Sequence, residues 1–135
     1  MSLLLALPLA LPLAAAIAGM LTLDRPRWQA PIGLAGSTGL LAAAIGLLAW
    51  TWREGIHVLE AGGWPAPFGI VLVADMLAAV MVVVTGAVGL AATVYSFRVV
   101  DDGRLRAGYY AFIQVLLMGV NGAFLAGDIF NLYVW

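Results

Sequence analysis

Residues 62–84 read GGWPAPFGIVLVADMLAAVMVVV, a Gly- and Pro-broken segment that runs straight into an apolar stretch. One carboxylate, Asp75, sits near the start of that stretch. What surrounds it decides the fold. Hydrophobic residues make up 64% of the 135-residue chain and charged residues 10%, against about 45–50% and about 25% in soluble domains. A single domain of this length needs a polar cover, and this chain lacks the residues to make one. Lipid must therefore surround most of it. The charge pattern argues against nucleic acid as a partner, since the net charge is −1, Lys is absent and the 6 Arg are scattered. With 0 Cys, disulfides, thiolate metal sites and Cys nucleophiles drop out.

Working outward from Asp75, four charge-free runs emerge. About 20 helical residues cross a hydrocarbon core of roughly 30 Å. The first run is residues 2–23, closed by DRPRWQAP, and the second is 32–52, closed by REGIHVLEAGGWPAP. The third is 76–97, extended back to about 70 where Asp75 is tolerated; the fourth is 107–127, after RVVDDGRLR. Lipid offers no hydrogen-bond partner to an open strand, so each run is expected to be helical. None alternates like a barrel strand. The expected fold is an all-α integral membrane protein of four transmembrane helices (about 2–23, 32–52, 70–97 and 107–127) in a single transmembrane region. IFNLYVW then starts a fifth apolar stretch at about residue 129, and no polar flank closes it before Trp135. The sequence reads as truncated there.

Arg asymmetry sets an expected orientation. The segments after the first and third runs hold Arg25, Arg27, Arg98, Arg104 and Arg106, and the segment after the second holds only Arg53. Basic residues favour the cytoplasm, which puts the N-terminus outside. A competing reading takes the first run as a signal peptide cleaved near Ala16-Ile17-Ala18. Against it, no basic residue precedes the run, and the run is longer than a typical apolar region of a signal.

Polar residues inside apolar runs are costly and mark either function or packing. Asp75 reads two ways: as a carboxylate taking up a proton or cation at the outer mouth of a pathway, or as a headgroup-level residue. Gly62, Gly63, Pro65 and Pro67 make a stiff outer turn, with Trp64 and Phe68 suited to the interface. His57 and Glu60, three apart, form a candidate proton-sharing or weak metal pair, weighed against an ordinary surface histidine. In the fourth run Gly119, Ala123 and Gly127 repeat at four-residue spacing, as do Gly122 and Ala126. This is a face that admits a neighbouring helix closely, with Asn121 able to hydrogen-bond across it. Gln114 is a second polar group in that run, and Thr85, Gly86 and Gly89 form a weaker small-residue face in the third. Asp128 either caps a further helix from Ile129 or is a second acidic entry group.

The stretches GGWPAPFGIVLVADMLAAVMVVVTGAVGLAATVYS, AGYYAFIQ and GVNGAFLAGDIFNLYVW together resemble the N-terminal region of the D-type subunits of Mrp-type multisubunit Na⁺/H⁺ antiporters. That family is similar in turn to the antiporter-like, proton-pumping subunits of complex I and of membrane-bound hydrogenases. The resemblance implies a bundle of about fourteen helices with inverted repeats and a polar axis at mid-membrane. It implies coupled Na⁺ and H⁺ exchange, other membrane subunits as partners and a multi-pass place in the cell inner (plasma) membrane. It implies neither a bound cofactor nor a resident metal. The family's pathway Glu would follow directly after Trp135, and its Lys residues have no counterpart here. Asp75 and Asp128 match acidic positions of the family's motifs. None of the four runs has a midpoint Pro–Gly break, which suits a region that surrounds the path.

Two alternatives accompany this reading: a proton-pumping subunit of a hydrogenase or complex I-like oxidoreductase, and a self-contained four-helix assembly protein. An enzyme with its own chemistry is disfavoured, because the sequence has no Ser-His-Asp set, ligand-spaced metal cluster or phosphate-cradling loop. A dehydrogenase label would come only through kinship with complex I.

Overall fold

Two prolines open the chain's first helix to the rest of the molecule. In the computed structural model, which describes residues 2–60, 63 and 69–135, α1 is Ser2–Leu21 with Pro8 and Pro12 inside it. Each proline removes one i→i−4 donor and leaves a carbonyl free for another partner. A tight turn follows, with the Arg25 amide donating to the Thr22 carbonyl at 2.9 Å. Helix α2 then runs Pro26–Glu54, 29 residues, about 43 Å at 1.5 Å per residue. It starts well before the expected residue 32. Pro26 sits in the first turn, where its missing N–H costs nothing. Pro31, further in, forfeits only one intrahelical bond.

Gly55 ends α2 at φ 88°, a backbone conformation that glycine reaches without strain. Strand β1, His57–Glu60, pairs antiparallel with β2, Val71–Ala74, with His57 opposite Ala74 and Glu60 opposite Val71. Here the helical expectation for residues 70–75 is overturned: the stretch before Asp75 is extended. The backbone accounting explains it. On its other edge β2 meets the chain just past the fifth helix, with Leu72 bridging Ala126 and the Gly127 amide donating to the Val71 carbonyl at 2.8 Å. A strand partnered on both edges and buried in protein escapes the rule that excludes open strands from lipid. Val71, Leu72 and Ala74 are buried. The stiff turn expected at Gly62, Trp64, Pro65, Pro67 and Phe68 lies outside the described residues.

Helix α3 is Met76–Ser96. A short helix, α4 (Asp102–Arg106), is capped by Asp101, whose carboxylate accepts from the Arg104 amide at 2.8 Å. Helix α5 is Tyr109–Leu125, entered through Gly108 at φ 84°, and α6 is Ile129–Val134. The fourth run is thus helical over 17 residues, and Ala126 and Gly127 belong to the extended edge of β2.

Helices α1, α2 and α3 are each long and apolar enough to cross a membrane, and α5 is apolar but shorter. Their outer surfaces carry Trp52, Leu77, Val88 and Leu116, all exposed, as a lipid-facing exterior requires. The apolar core gathers at the hairpin end, from Leu5, Ala44, Leu47, Leu72, Ala74, Ala78, Val82 and Leu125.

Candidate functional site

Inside the bundle, away from that apolar core, the helices meet through neutral polar groups stacked in layers. The α2 face Gln29, Gly33, Gly36, Ser37 and Leu40 is buried along its length, at the i, i+4, i+7 spacing of one helix face. At the level of Gly33, Tyr110 of α5 presses so close that a Cβ on Gly33 would lie 2.8 Å from its ring. The Tyr110 hydroxyl is 3.1 Å from Ser96 Oγ of α3. One turn on, the Gln114 amide donates to the Gly33 carbonyl and to Ser37 Oγ, both at 2.9 Å. Ser37 Oγ is 2.9 Å from Thr93 Oγ1, and the Thr93 hydroxyl donates to the Gly89 carbonyl at 2.8 Å. Since Thr93 spends its proton on Gly89, Ser37 must donate to Thr93. The resulting chain runs Gln114, Ser37, Thr93, Gly89 and ties α5, α2 and α3 together. Ser37, Thr93 and Gln114 are buried. None of these groups ionises near neutral pH, so the layer clamps helices and does not itself carry charge.

The polar layers stop abruptly. Above them Gly89 receives the Leu117 side chain, and Gly86 lies against the Leu41 backbone. Buried polar groups beyond them are isolated from the layers: Thr51, Asn131 and Asn121, of which the Asn121 amide is 3.5 Å from the Pro8 carbonyl of α1. Pro12 explains that target, because its nitrogen has no hydrogen to give the Pro8 carbonyl. A Pro12→Ala replacement should supply the missing donor. Thermal unfolding should then show Asn121→Ala costing about 1 kcal/mol in the parent and close to nothing in the Pro12→Ala background.

The residues singled out from sequence occupy the hairpin end and α5. Asp75 is the N-cap of α3, its Oδ1 accepting from the Ala78 amide at 2.7 Å, and it borders an open pocket of about 380 Å³ with Leu77, Ala78, Met81, Ala123 and Phe124. Asp128 caps α6: Oδ1 accepts from the Asn131 amide at 2.7 Å and Oδ2 from its side-chain nitrogen. His57 does not pair with Glu60. Three residues apart on β1, the two alternate onto opposite faces. His57 instead stacks on Trp50, centroids 3.4 Å apart and planes at 11°, while Trp50 Nε1 donates to Glu54 at 2.8 Å. Among the described residues, no three His, Cys, Asp or Glu gather as for a metal.

The small residues of α5 do not form one helix-docking face. Gly122 lies under the Trp135 ring, and a Cβ on Gly119 would lie 3.5 Å from the Trp135 carbonyl. Gly127 serves a different contact: a Cβ there would lie 2.7 Å from Val73 and 2.9 Å from the Val71 carbonyl, so glycine is what lets the end of α5 join β2. Ala123 is half-buried beside the Asp75 pocket. Sequence reasoning misses Gln29, Ser37, Thr93 and Ser96. A signal is present in the spacing of Gln29, Gly33, Gly36 and Ser37, but Gln29 falls in a polar segment that reads as a loop.

Buried neutral polar layers, an apolar exterior and long apolar helices define a multi-pass helical membrane protein. The chain is 46% identical over 101 residues to the D-type Na⁺/H⁺ antiporter subunit of Bacillus subtilis (strain 168), a match covering 75% of this chain and 20% of that protein. Its fold matches a chain of the Mrp complex from Dietzia sp. DQ12-45-1b with a TM-score of 0.86 and 28% identity, over 99% of this chain and 25% of that one. It also matches a chain of the membrane-bound sulfane sulfur reductase, an archaeal respiratory membrane complex, with a TM-score of 0.89 and 27% identity over 96% of this chain and 27% of that one. No protein-family model matches. The chain belongs to the family of D-type Na⁺/H⁺ antiporter subunits and spans about a fifth of the length of the curated relative it matches.

Proposed function

We propose that this chain forms part of a subunit that exchanges Na⁺ for H⁺ within a multisubunit Mrp-type complex of the cell inner membrane. The observation that carries this reading is the 46% identity over 101 residues to a D-type antiporter subunit; the two structural neighbours, at 28% and 27% identity, are nearly equally similar to the chain. In this reading α1, α2, α3 and α5 are the four spans, with the N-terminus outside. The other membrane subunits are its partners, and the Arg-bearing turns around Arg25, Arg27, Arg98, Arg104 and Arg106 face the cytoplasm. The fold similarity to the respiratory complex supports one second reading, a membrane module driven by electron transfer. Everted vesicles containing the complete complex separate them. Adding Na⁺ should collapse a preset proton gradient with no electron donor present, and a response that occurs only with a donor would overturn the antiporter reading.

Asp75, Asp128 and His57 are the candidate ion-handling groups at the hairpin end. Asp75 ranks first, because one carboxylate oxygen is held by the Ala78 amide while the residue borders an open pocket. Asp128 has both oxygens engaged by Asn131, and His57 is committed to its stack on Trp50. Asn is as good an N-cap as Asp, so Asp75→Asn removes the charge and keeps the helix start. Exchange by the complete complex should fall about tenfold, the equivalent of roughly 1.4 kcal/mol. Unchanged exchange would reduce Asp75 to a cap.

A further inference from the structure

The polar layer nearest the Arg-bearing turns contains a group that nothing in the clamp uses. Gln29 is 1% exposed, and neither its amide nitrogen nor its carbonyl oxygen has a hydrogen-bond partner among the described residues. A dry, unpartnered amide at this depth costs several kcal/mol, too much for an ordinary packing residue. A further observation lies beside it. An open pocket of about 460 Å³, lined by Leu23, Asp24, Pro26 and Arg106, reaches α2 at its first turn. Pro26 is three residues from Gln29, on the same face and about 4.5 Å nearer the end of the helix.

The geometry points to an internal water site at Gln29, filled from the Asp24–Arg106 pocket and closed above by Tyr110. The chemistry selects the occupant. Gln29 is already enclosed by this chain alone, so only a ligand of about water's size can reach it. The layer holds no carboxylate, whereas hard cations bind through several oxygens that commonly include one. An amide offers one acceptor and two donors, which suits a water needing two to four partners. Above Gln29 the Tyr110 ring is packed on Gly33 and is 2% exposed. Gln114, the next amide, has its nitrogen spent on Gly33 and Ser37; its Oε1 is also unpartnered but lies one turn of α5 beyond the Tyr110 ring, cut off from the pocket by it. Water therefore enters the bundle at one end, stops at Tyr110, and does not reach the apolar core. The inference stands whether or not the protein exchanges Na⁺.

The chain's lack of Cys makes the test direct. In the full-length protein, with any cysteine outside this segment replaced, single Cys are placed at Gln29, at Ser37 beyond Tyr110, and at Ala44 in the apolar core. Each is treated with hydrogen peroxide, an oxidant little larger than water. It attacks the thiolate, a form a thiol reaches only in contact with water, and the sulfenic acid formed is then labelled. Gln29→Cys should react at least tenfold faster than Ala44→Cys, and Ser37→Cys should stay as slow as Ala44→Cys until Tyr110→Ala is added. Equal rates at positions 29 and 44, or fast labelling at 37 with Tyr110 intact, would overturn the proposal. Gln29→Met, similar in shape and apolar, covers the case in which the Cys variant fails to fold. A hydrated Gln29 makes this variant lower the unfolding temperature; a temperature unchanged or raised would mean the amide was dry.

Discussion

Gly36→Leu is expected to remove almost all folded protein from the membrane. A Cβ at position 36 would lie 2.5 Å from the Ala15 Cβ of α1 and 3.0 Å from Gln114 Oε1 of α5. The new side chain would thus collide with two helices at once, at the level where the hydrogen-bonded clamp sits. Neither can yield cheaply. The Ala15 Cβ is fixed to its backbone, and Gln114 is held by bonds to Gly33 and Ser37. Overpacking a filled core costs about 1–3 kcal/mol, and helices in lipid rely on close approach at small residues for their association. Gly39→Leu is the matched control. A Cβ there meets only Leu11 Cδ1 at 3.7 Å, an ordinary contact. Membrane yield and the monodisperse fraction in detergent should fall about tenfold or more for Gly36→Leu, a loss of roughly 1.4 kcal/mol or above, and stay near the parent for Gly39→Leu. Equal behaviour of the two would mean that α1 and α5 do not pack on α2 here.

The difference between these two glycines marks how far the sequence is legible. Four apolar runs with Arg-bearing breaks are enough to indicate lipid-embedded helices, because solvent chemistry acts on every residue of a run. The extended stretch 71–74 is hidden for the same reason: Val71, Leu72 and Val73 continue the apolar run, and lipid forbids an unpartnered strand. Its partners are β1 and Gly127, distant in sequence, and no local signal announces them. Asp128 is readable as a cap, since an acidic residue before an apolar run satisfies free amides on its own helix. Asp75 is not readable as one, because the run around it disguises where the helix starts. His57 and Glu60 look like a pair only under helical spacing, and strand alternation separates them. Long-range polar contacts are invisible in kind. Gln114 and Asn121 stand out as polar residues in an apolar run, but their partners Ser37 and Pro8 lie 77 and 113 residues away.

Gln114→Leu should loosen α5 from α2 without abolishing the fold. Leu keeps much of the volume but loses both donations, to the Gly33 carbonyl and to Ser37 Oγ. Hydrogen bonds between membrane helices contribute about 0.6–2 kcal/mol each, since the separated helices find other partners. For the two bonds together the destabilisation is about 1–4 kcal/mol. Ser37 keeps its donation to Thr93 and loses only a donor to its own oxygen, and a hydroxyl oxygen lacking one donor is cheaper than a stranded N–H. Gly33 bears the larger share, though its carbonyl keeps the α2 ladder available. Gln114→Glu distinguishes lost bonds from lost shape. Protonated, Glu retains one donor; ionised, it is a buried charge with no cation in the layer, which costs more than the apolar replacement. Unfolding should therefore rank parent, Gln114→Leu, Gln114→Glu from most to least stable at neutral pH, with Glu recovering as pH falls and its carboxyl protonates. The double-mutant cycle with Ser37→Ala isolates the shared bond: Gln114→Leu should cost less once Ser37 Oγ is gone, by about 0.6–2 kcal/mol. A coupling of zero would place the two side chains out of contact and dissolve the clamp that joins α2, α3 and α5.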